Sequence, residues 1–259
     1  LDPALPQGIP RNSCILLASQ MGTRDRAIHA ELIWRTLQRN EPAVIISFQE
    51  PPIAILEQFI ELDWNIIPYI EAGQLQIIDC FTYRLEEQGR FFDRMTDWNQ
   101  HLQNVARKAT LEVEDATDLP TIQSRLDNCL ESIDMIEEGI VLLDSLTEIG
   151  SLVQPIQAYD FVKDIRAEVS KSRFVPIFAG ASYSSQDDFP RDLEYIFDGI
   201  IDLQLNDEIV EDTLIKQLRI RKLESVLAIS EWQQYEFTSE QGMVVFDPQE
   251  EMEKVKTEE

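Results

Sequence analysis

Short apolar runs alternate with longer amphipathic stretches through the first two thirds of the chain, and this alternation constrains the fold more than any other feature. Five apolar runs have the length of buried strands: Cys14–Ala18, Ala43–Phe48, Leu75–Asp79, Gly139–Asp144 and Val175–Ala179. Five further stretches have helical periodicity: Asp25–Arg39, Ile53–Leu62, Phe92–Ala109, Leu119–Glu137 and Pro155–Val169. Because strands that alternate with helices form βαβ units, the pattern predicts an α/β fold with a mainly parallel sheet flanked by helices.

The pattern changes from Gly199 onward, where strand-like segments follow one another without helices between them. The segments are GIIDLQL, TLIKQLRIRKL, EWQQYEFTS and MVVFD, with an acidic turn, NDEIVED, after the first and a Gln-Gly turn before the last. Short polar turns between strands are typical of antiparallel pairing. We therefore expect an antiparallel C-terminal extension at the edge of the sheet, one domain over residues 1–248 and an acidic tail over residues 249–259.

The charge balance disfavours nucleic acid as a partner. The chain has 22 Lys and Arg against 48 Asp and Glu, which gives a formal charge of −26. A phosphate backbone is attracted by basic surfaces and repelled by a chain of this charge. Only 7 of the 22 basic residues are Lys. An acidic surface poor in Lys is typical of halophilic proteins, because molar salt screens the repulsion; an ordinary acidic protein is the alternative.

Composition also predicts a soluble, cytoplasmic protein with a hydrophobic core large enough for a folded domain. Hydrophobic residues make up 44% of the chain, but no apolar run approaches the ~18 residues of a membrane span, and no leader sequence is evident. The three cysteines, Cys14, Cys80 and Cys129, lie far apart, and two of them lie in or against apolar runs, which predicts buried reduced thiols. His29 and His101 have no ligand pattern around them, so zinc chemistry and a Cys/His nucleophile are disfavoured.

The first strand-to-helix turn is the place where an open α/β sheet usually binds an anion. Here the turn is ASQMGTRDRA, residues 18–27. A phosphate loop requires G-x-x-x-x-G-K-[ST]. In this chain Ser19 and Arg24 occupy the glycine positions, Asp25 the lysine position and Arg26 the hydroxyl position. The candidate nucleotide-binding residues of this loop are Met21, Gly22, Thr23, Arg24, Asp25 and Arg26.

These departures weaken the interactions that a nucleotide would need. Without the lysine no ammonium bridges the β- and γ-phosphates, and Asp25 repels them instead. Without Ser or Thr, Mg²⁺ loses its hydroxyl ligand from the protein. Arg24 and Arg26 could supply compensating positive charge. The loop therefore favours a degenerate pocket over an active nucleotide cycle, and leaves ATP and Mg²⁺ open as cofactors.

Two carboxylates follow other predicted strands. Asp144 ends the apolar run GIVLLD, where a carboxylate would hold Mg²⁺; capping of the strand-to-helix turn is the alternative. Glu50 follows the run AVIISFQ and is placed to act as a general base on a water, although Glu before Pro-Pro is also a good turn former.

Two segments are basic within the acidic chain. Residues 11–39 hold five Arg against Asp25 and Glu31, a local charge of +3. In LRIRK, Arg219 and Arg221 are two residues apart and face the same side of a strand, whereas Lys222 faces away. An anion contact, including one across a subunit interface, and ordinary ion pairing with the acidic background both remain open.

Taken together, these segments resemble the KaiC-like branch of the RecA-type P-loop ATPases over roughly residues 5–246. The resemblance lies in GIPRNSCILLASQMGT, AVIISFQEPP, GIVLLDSLTEI, FPRDLEYIFDGIIDLQL and LRIRKL. It implies a RecA-like fold, with Asp144 as the Walker B carboxylate on the magnesium side and Glu50 as the residue that polarises the attacking water. Arg219 and Arg221 would match the basic strand that reaches a neighbour's nucleotide in ring-forming relatives.

The phosphate-loop residues do not match the family pattern, so the resemblance implies a degenerate Walker A loop. Such relatives, some of them in halophilic archaea, look like pseudo-ATPases that act as regulatory or assembly modules in signalling. A homo-oligomer or a complex with a related ATPase subunit is the implied assembly. One alternative is an active ATPase in which Arg24 or Arg26 replaces the lysine. The other is a recombinase-type, DNA-associated ATPase, which the charge disfavours.

Overall fold

A computed structural model describes residues 8–86, 97–183, 192–210, 213–227, 230–238 and 241–246. Its strands are β1 (Cys14–Ser19), β2 (Ala43–Ser47), β3 (Leu75–Asp79), β4 (Thr110–Glu112), β5 (Ile140–Asp144), β6 (Ile177–Ser182), β7 (Gly199–Val210), β8 (Thr213–Leu223), β9 (Gln233–Thr238) and β10 (Gly242–Phe246). They form one sheet in the order β10-β9-β8-β7-β1-β6-β5-β2-β3-β4.

The sheet is parallel from β7 to β4 and antiparallel from β7 to β10. This arrangement confirms the predicted α/β class and the antiparallel C-terminal extension. Strand β6 lies between β1 and β5, and β2 lies on the far side of β5. The carboxyl ends of these four strands therefore meet at one edge of the sheet, where the candidate residues lie.

Helices cover both faces of the sheet. They are α1 (Asp25–Gln38), α2 (Pro52–Glu61), α3 (Ile67–Glu71), α4 (Tyr83–Glu86), α5 (Asp97–Ala109), α6 (Leu119–Ser132), α7 (Leu146–Leu152) and α8 (Pro155–Ile165). Neighbouring side chains of a strand enter opposite cores: Leu16 packs with residues of α6, α7 and α8, and Leu17 packs with residues of α1, α2 and α5. Burial on both faces explains why these strands are apolar without alternation.

Several boundaries differ from the sequence predictions. Helix α6 ends at Ser132, five residues before the predicted end, and the chain turns at Asp134, which has φ 48°. A π-helical segment, Arg166–Ser172, continues α8 beyond its predicted end. The acidic stretch at residues 206–212 was expected to be a turn, but β7 runs through it to Val210, because pairing with β8 satisfies the backbone of both strands.

The remaining predictions concern the burial of the cysteines, membrane spans and two segments near the limits of the described residues. All three cysteines are free and buried, which confirms the prediction for them. No helix among the described residues is long and apolar enough to cross a membrane. Residues 92–96 of the predicted helix Phe92–Ala109 lie outside the described residues. The predicted tail, 249–259, lies outside them as well.

Candidate functional site

The loop between β1 and α1 keeps the length of a phosphate loop although its motif residues have changed. Strand β1 ends at Ser19 and α1 begins at Asp25, the residue at the lysine position. Arg24, at the position of the second motif glycine, has φ 59°, a left-handed conformation that glycine adopts easily and that costs another residue roughly 1 kcal/mol. Gly22 also has a positive φ, 94°. The backbone thus has a conformation suited to glycine where the sequence supplies arginine.

Hydrogen bonds tie this loop to strands β7 and β9. The main-chain N–H of Gln20 donates to the oxygen of Leu203 at 2.9 Å, and its side-chain oxygen accepts from the N–H of Leu205 at 3.0 Å. The hydroxyl of the buried Thr23 donates to the main-chain oxygen of Gln20 at 2.8 Å. The hydroxyl of Tyr235 donates to the main-chain oxygen of Thr23. These hydrogen bonds therefore hold the loop against β7 and β9.

The first residues of α1 engage the candidate groups on the neighbouring strands. The carboxylate of Asp25 accepts a hydrogen bond from the Ser19 hydroxyl at 2.7 Å. The guanidinium of Arg26 forms an ion pair with Glu50, at 2.5 Å between Nη1 and Oε1. Ser47 holds the turn before Glu50, since its hydroxyl donates to the main-chain oxygen of Glu50 at 2.7 Å. The candidate base and one candidate replacement for the lysine are thus paired with each other.

Asp144, at the end of β5, is buried and faces a histidine of α1. Its Oδ1 lies 3.6 Å from Nδ1 of His29. Burial raises the pKa of the Asp144 carboxyl, and the nearby Asp25 adds to this, although His29 and Arg26 oppose it. Its main-chain oxygen accepts from the N–H of Phe48 at 2.6 Å, so β5 and the end of β2 remain joined at this edge.

Sequence reasoning did not single out His29 as a residue of the site. Its spacing was the available signal: His29 follows Asp25 by four residues, and residues four apart lie on the same face of a helix. A cavity of only about 20 Å³ remains between Arg26, His29, Glu50 and Asp144, with Gln58 and apolar side chains as its other walls. No group of three His, Cys, Asp or Glu side chains within the described part of the chain is arranged to hold a metal ion.

Arg219 and Arg221 lie together on β8, as their spacing predicted, and both are paired within the chain. Arg219 contacts Asp202 at 2.8 Å, and Arg221 contacts Asp202 at 2.8 Å and Glu194 at 2.6 Å. The guanidinium of Arg219 also lies 4.5 Å from the ring centre of Trp232. These contacts are ion pairs with the acidic background, one of the two arrangements that the sequence left open.

These two arginines line a larger cavity, of about 490 Å³, beside the loop. Tyr183, whose hydroxyl donates to Glu194 at 2.9 Å, lies on another wall. Of the turn at residues 18–27, Ala18, Ser19 and Gln20 line the cavity, and Met21 to Ala27 do not. The structure thus places Arg219 and Arg221 next to the loop but not together with Asp144 and Glu50.

The basic segment at residues 11–39 is mostly neutralised in the same way. Arg11 and Arg39 pair with Glu41, and Arg35 pairs with Glu31. Arg24 is exposed, and no ion pair is found for it within the described ranges. It is the one cation of this segment that the rest of the described chain leaves available.

Comparisons with known proteins agree with this architecture. A family model for the KaiC ATPase matches residues 1–250. A UPF0273 protein from Thermotoga maritima is 22% identical over 247 residues, covering 95% of this chain and 92% of the relative. A UPF0273 protein from Aeropyrum pernix is 24% identical over 247 residues, covering 95% and 90%. The crystal structure of a KaiC-like protein from Pyrococcus horikoshii aligns over 95% of both chains, with a TM-score of 0.71 and 16% identity. The chain belongs to the KaiC family of ATPases.

Proposed function

We propose that this chain is a pseudo-ATPase of the KaiC family, which binds ATP weakly or not at all and acts as a regulatory or assembly module in signalling. The observation that carries the proposal is Asp25 at the lysine position, hydrogen-bonded to Ser19 at 2.7 Å. The loop around it has positive φ at Gly22 and Arg24, a conformation suited to glycine, and the departure from the motif lies in its side chains.

The electrostatics of the loop oppose a polyphosphate. At 4 Å an ammonium near a protein surface would attract a phosphate charge by roughly 4 kcal/mol, and a carboxylate reverses the sign of that interaction. Arg26 compensates little, because its charge is already shared with Glu50. Asp144 adds a second carboxyl close to Asp25. The missing lysine and the added carboxylate of Asp25 therefore both weaken the binding of a polyphosphate.

Titration calorimetry with ATP and Mg²⁺ at high salt tests the proposal. We expect no stoichiometric binding in the micromolar range by the wild-type chain. A restored loop, with Ser19→Gly, Arg24→Gly, Asp25→Lys and Arg26→Thr, should gain at least tenfold in affinity. These changes leave the net charge unaltered, because one Asp→Lys replacement offsets two lost arginines. Tight binding by the wild-type chain would contradict the proposal.

A matched control separates local from long-range effects. Glu57 is exposed on α2, and Glu57→Lys changes the charge by the same amount as Asp25→Lys. We expect Glu57→Lys to leave ATP binding at the wild-type level, whereas Asp25→Lys alone strengthens it. Equal gains in the two variants would show that net charge, and not the loop, limits binding.

Arg24 supports one second candidate, an active ATPase with an atypical loop. Its guanidinium has no ion pair among the described residues and lies at the end of the loop, where it could contact a phosphate. In that case Arg24→Ala abolishes turnover, whereas Arg39→Ala, which removes a paired arginine at the other end of α1, does not. The candidate fails if the wild-type chain has no turnover to lose.

The assembly role is a separate part of the proposal. We propose that the chain associates with copies of itself or with a related ATPase subunit; the charge of −26 disfavours nucleic acid as a partner. For Arg219 and Arg221 to reach a neighbour's nucleotide, they would have to leave Asp202 and Glu194. Light scattering at high salt should show an oligomer whose size does not change when ATP is added.

A further inference from the structure

The side chain of His29, on α1, is buried without hydrogen bonds to its ring nitrogens among the described residues. His29 is 5% exposed, and neither of its ring nitrogens has a hydrogen-bond partner among the residues that the structure describes. The nearest acceptor is Asp144, whose Oδ1 at 3.6 Å lies beyond hydrogen-bond distance. A buried polar group in this condition costs stability, so packing alone does not account for a histidine here.

Gly180, on strand β6, has no side chain, and the ring of His29 fills the space that a side chain would occupy there. A Cβ on Gly180 would lie 2.6 Å from Cε1 of His29, closer than such atoms approach one another in proteins, and 3.1 Å from Nε2, which is a tight contact. The same Cβ would lie 3.4 Å from Oδ1 of Asp144. The imidazole therefore lies directly against the backbone of β6, beside the carboxylate at the end of β5.

The remaining space does not fit the magnesium ion that the family implies. Mg²⁺ requires six oxygen ligands at 2.0–2.1 Å in octahedral geometry and keeps several of its waters. The cavity between Asp144, Glu50, Arg26 and His29 measures about 20 Å³, roughly the room for one water. Arg26, which pairs with Glu50, and the imidazole of His29 both line this cavity. The groups near Asp144 thus include the cation of Arg26 and the imidazole of His29.

We infer that His29 closes the cation site at Asp144: its imidazole occupies the volume next to the carboxylate and excludes Mg²⁺ from this chain. The inference deepens the proposed pseudo-ATPase and rests on it. It assigns the loss of the metal site to a residue on α1 outside the phosphate-loop motif. Restoring the four motif residues would therefore not be sufficient to restore the metal site.

Binding of Mn²⁺ alone, followed by electron paramagnetic resonance, tests this inference without any nucleotide. The acidic surface binds Mn²⁺ as well, so the quantity to compare is the binding that Asp144→Asn removes. We expect none in the wild-type chain and about one site in His29→Ala, lost again in His29→Ala combined with Asp144→Asn. His29→Leu keeps the volume of the ring and should bind no Asp144-dependent ion. His101→Ala, a histidine on α5, is the control and should behave as wild type.

Each result decides the matter. Asp144-dependent Mn²⁺ in the wild-type chain, its absence in a folded His29→Ala, or its presence in His29→Leu overturns the inference. If His29→Ala does not fold, as judged by thermal unfolding, His29→Ser takes its place with the same expectations. If neither folds, the comparison of the wild-type chain with Asp144→Asn is decisive by itself, because Asp144-dependent binding overturns the inference and its absence supports it.

Failure of this inference is distinguishable from failure of the proposed function. A wild-type chain that holds Mn²⁺ at Asp144 but neither binds nor hydrolyses ATP contradicts the role of His29 alone. A wild-type chain that hydrolyses ATP contradicts the pseudo-ATPase itself.

Discussion

Two buried aspartates of the central sheet differ in how their charge is compensated. Asp198, directly before β7 at the amino edge of the parallel strands, receives hydrogen bonds from Arg166 at 2.6 Å, Lys171 at 2.9 Å and the N–H of Cys14 at 2.9 Å. Asp144, at the carboxyl edge, accepts no hydrogen bond on its carboxylate from the described residues, and Nδ1 of His29 lies 3.6 Å from its Oδ1. Burial is similar, at 5% and 8% exposed, so the partners make the difference.

The pKa values of the two carboxyl groups are shifted in opposite directions. Burial disfavours the charged form at both sites. At Asp198 the hydrogen bonds from Arg166, Cys14 and Lys171 outweigh burial, and the pKa is lowered. At Asp144 burial prevails and the pKa is raised. The charge of Asp198, at the amino edge, therefore stabilises the fold, whereas the charge of Asp144, at the carboxyl edge, destabilises it. Carboxyl groups with a raised pKa are common at functional sites.

The largest expected effect comes from Asp198→Asn, which leaves two cations without their shared partner. It should lower the free energy of unfolding by about 3 kcal/mol at pH 7. Because the folded pKa is lowered, the stabilisation is present above the unfolded value of about 3.9 and is lost as the pH falls through the folded pKa. Urea unfolding at pH 7 and at about pH 3 should show the difference between wild type and variant shrinking in acid.

Asp144→Asn is the matched control for that comparison. It removes a carboxylate that accepts no hydrogen bond within the described ranges, so stability should stay within about 1 kcal/mol of wild type or rise. Equal destabilisation by the two replacements would remove the contrast between the two edges.

Gly22→Ala should have the next largest effect, because two costs combine in the loop. The residue has φ 94°, and an added Cβ would lie 3.2 Å from Cδ1 of Leu205. We expect a loss of about 1–2 kcal/mol in the free energy of unfolding. Gly73→Ala provides the comparison, since Gly73 has a φ of 73° and nothing within 4 Å of the added atom. A loss no larger than that of Gly73→Ala would mean that the loop is not held against β7.

Tyr235→Phe removes the hydroxyl that holds the main-chain oxygen of Thr23. We expect it to cost about 1 kcal/mol and to speed hydrogen exchange of the loop amides. Tyr69→Phe, on α3, should leave exchange in the loop unchanged. Unaltered exchange in Tyr235→Phe would show that the loop is held by other contacts.

The smallest effect belongs to His29→Leu. The ring nitrogens have no hydrogen-bond partners in the described part of the chain, so an apolar side chain of similar volume should retain stability or raise it by about 1 kcal/mol. Thermal unfolding is the measurement. A loss of several kcal/mol would show that His29 stabilises the chain through a strong bond to Asp144.

The sequence was sufficient to predict the framework of the site. Apolar runs separated by helices led to the parallel sheet, and alignment of Ser19 and Asp25 with the phosphate-loop motif located the loop where β1 ends and α1 begins. The side-chain partners could not be predicted in the same way. The contacts of Arg26 with Glu50 and of His29 with Asp144 join residues that are distant in sequence, and they depend on the order of β1, β6, β5 and β2.

The extent of β7 was also beyond sequence reasoning. An acidic stretch such as NDEIVED has the composition of a turn, and its pairing with β8 depends on the partner strand and not on its own residues. Likewise, the spacing of Arg219 and Arg221 predicted their common face, but the carboxylates that neutralise them come from β7 and from the 3₁₀ helix, Glu194–Ile196.

Phosphate release from ATP by the wild-type chain and by Asp144→Asn, at high salt with Mg²⁺, tests the central claim most directly. If the loop chemistry has abolished catalysis, the two proteins release phosphate at the same background rate. Turnover by the wild-type chain that Asp144→Asn abolishes would contradict the account, because it would require a bound metal at Asp144 and a nucleotide beside it.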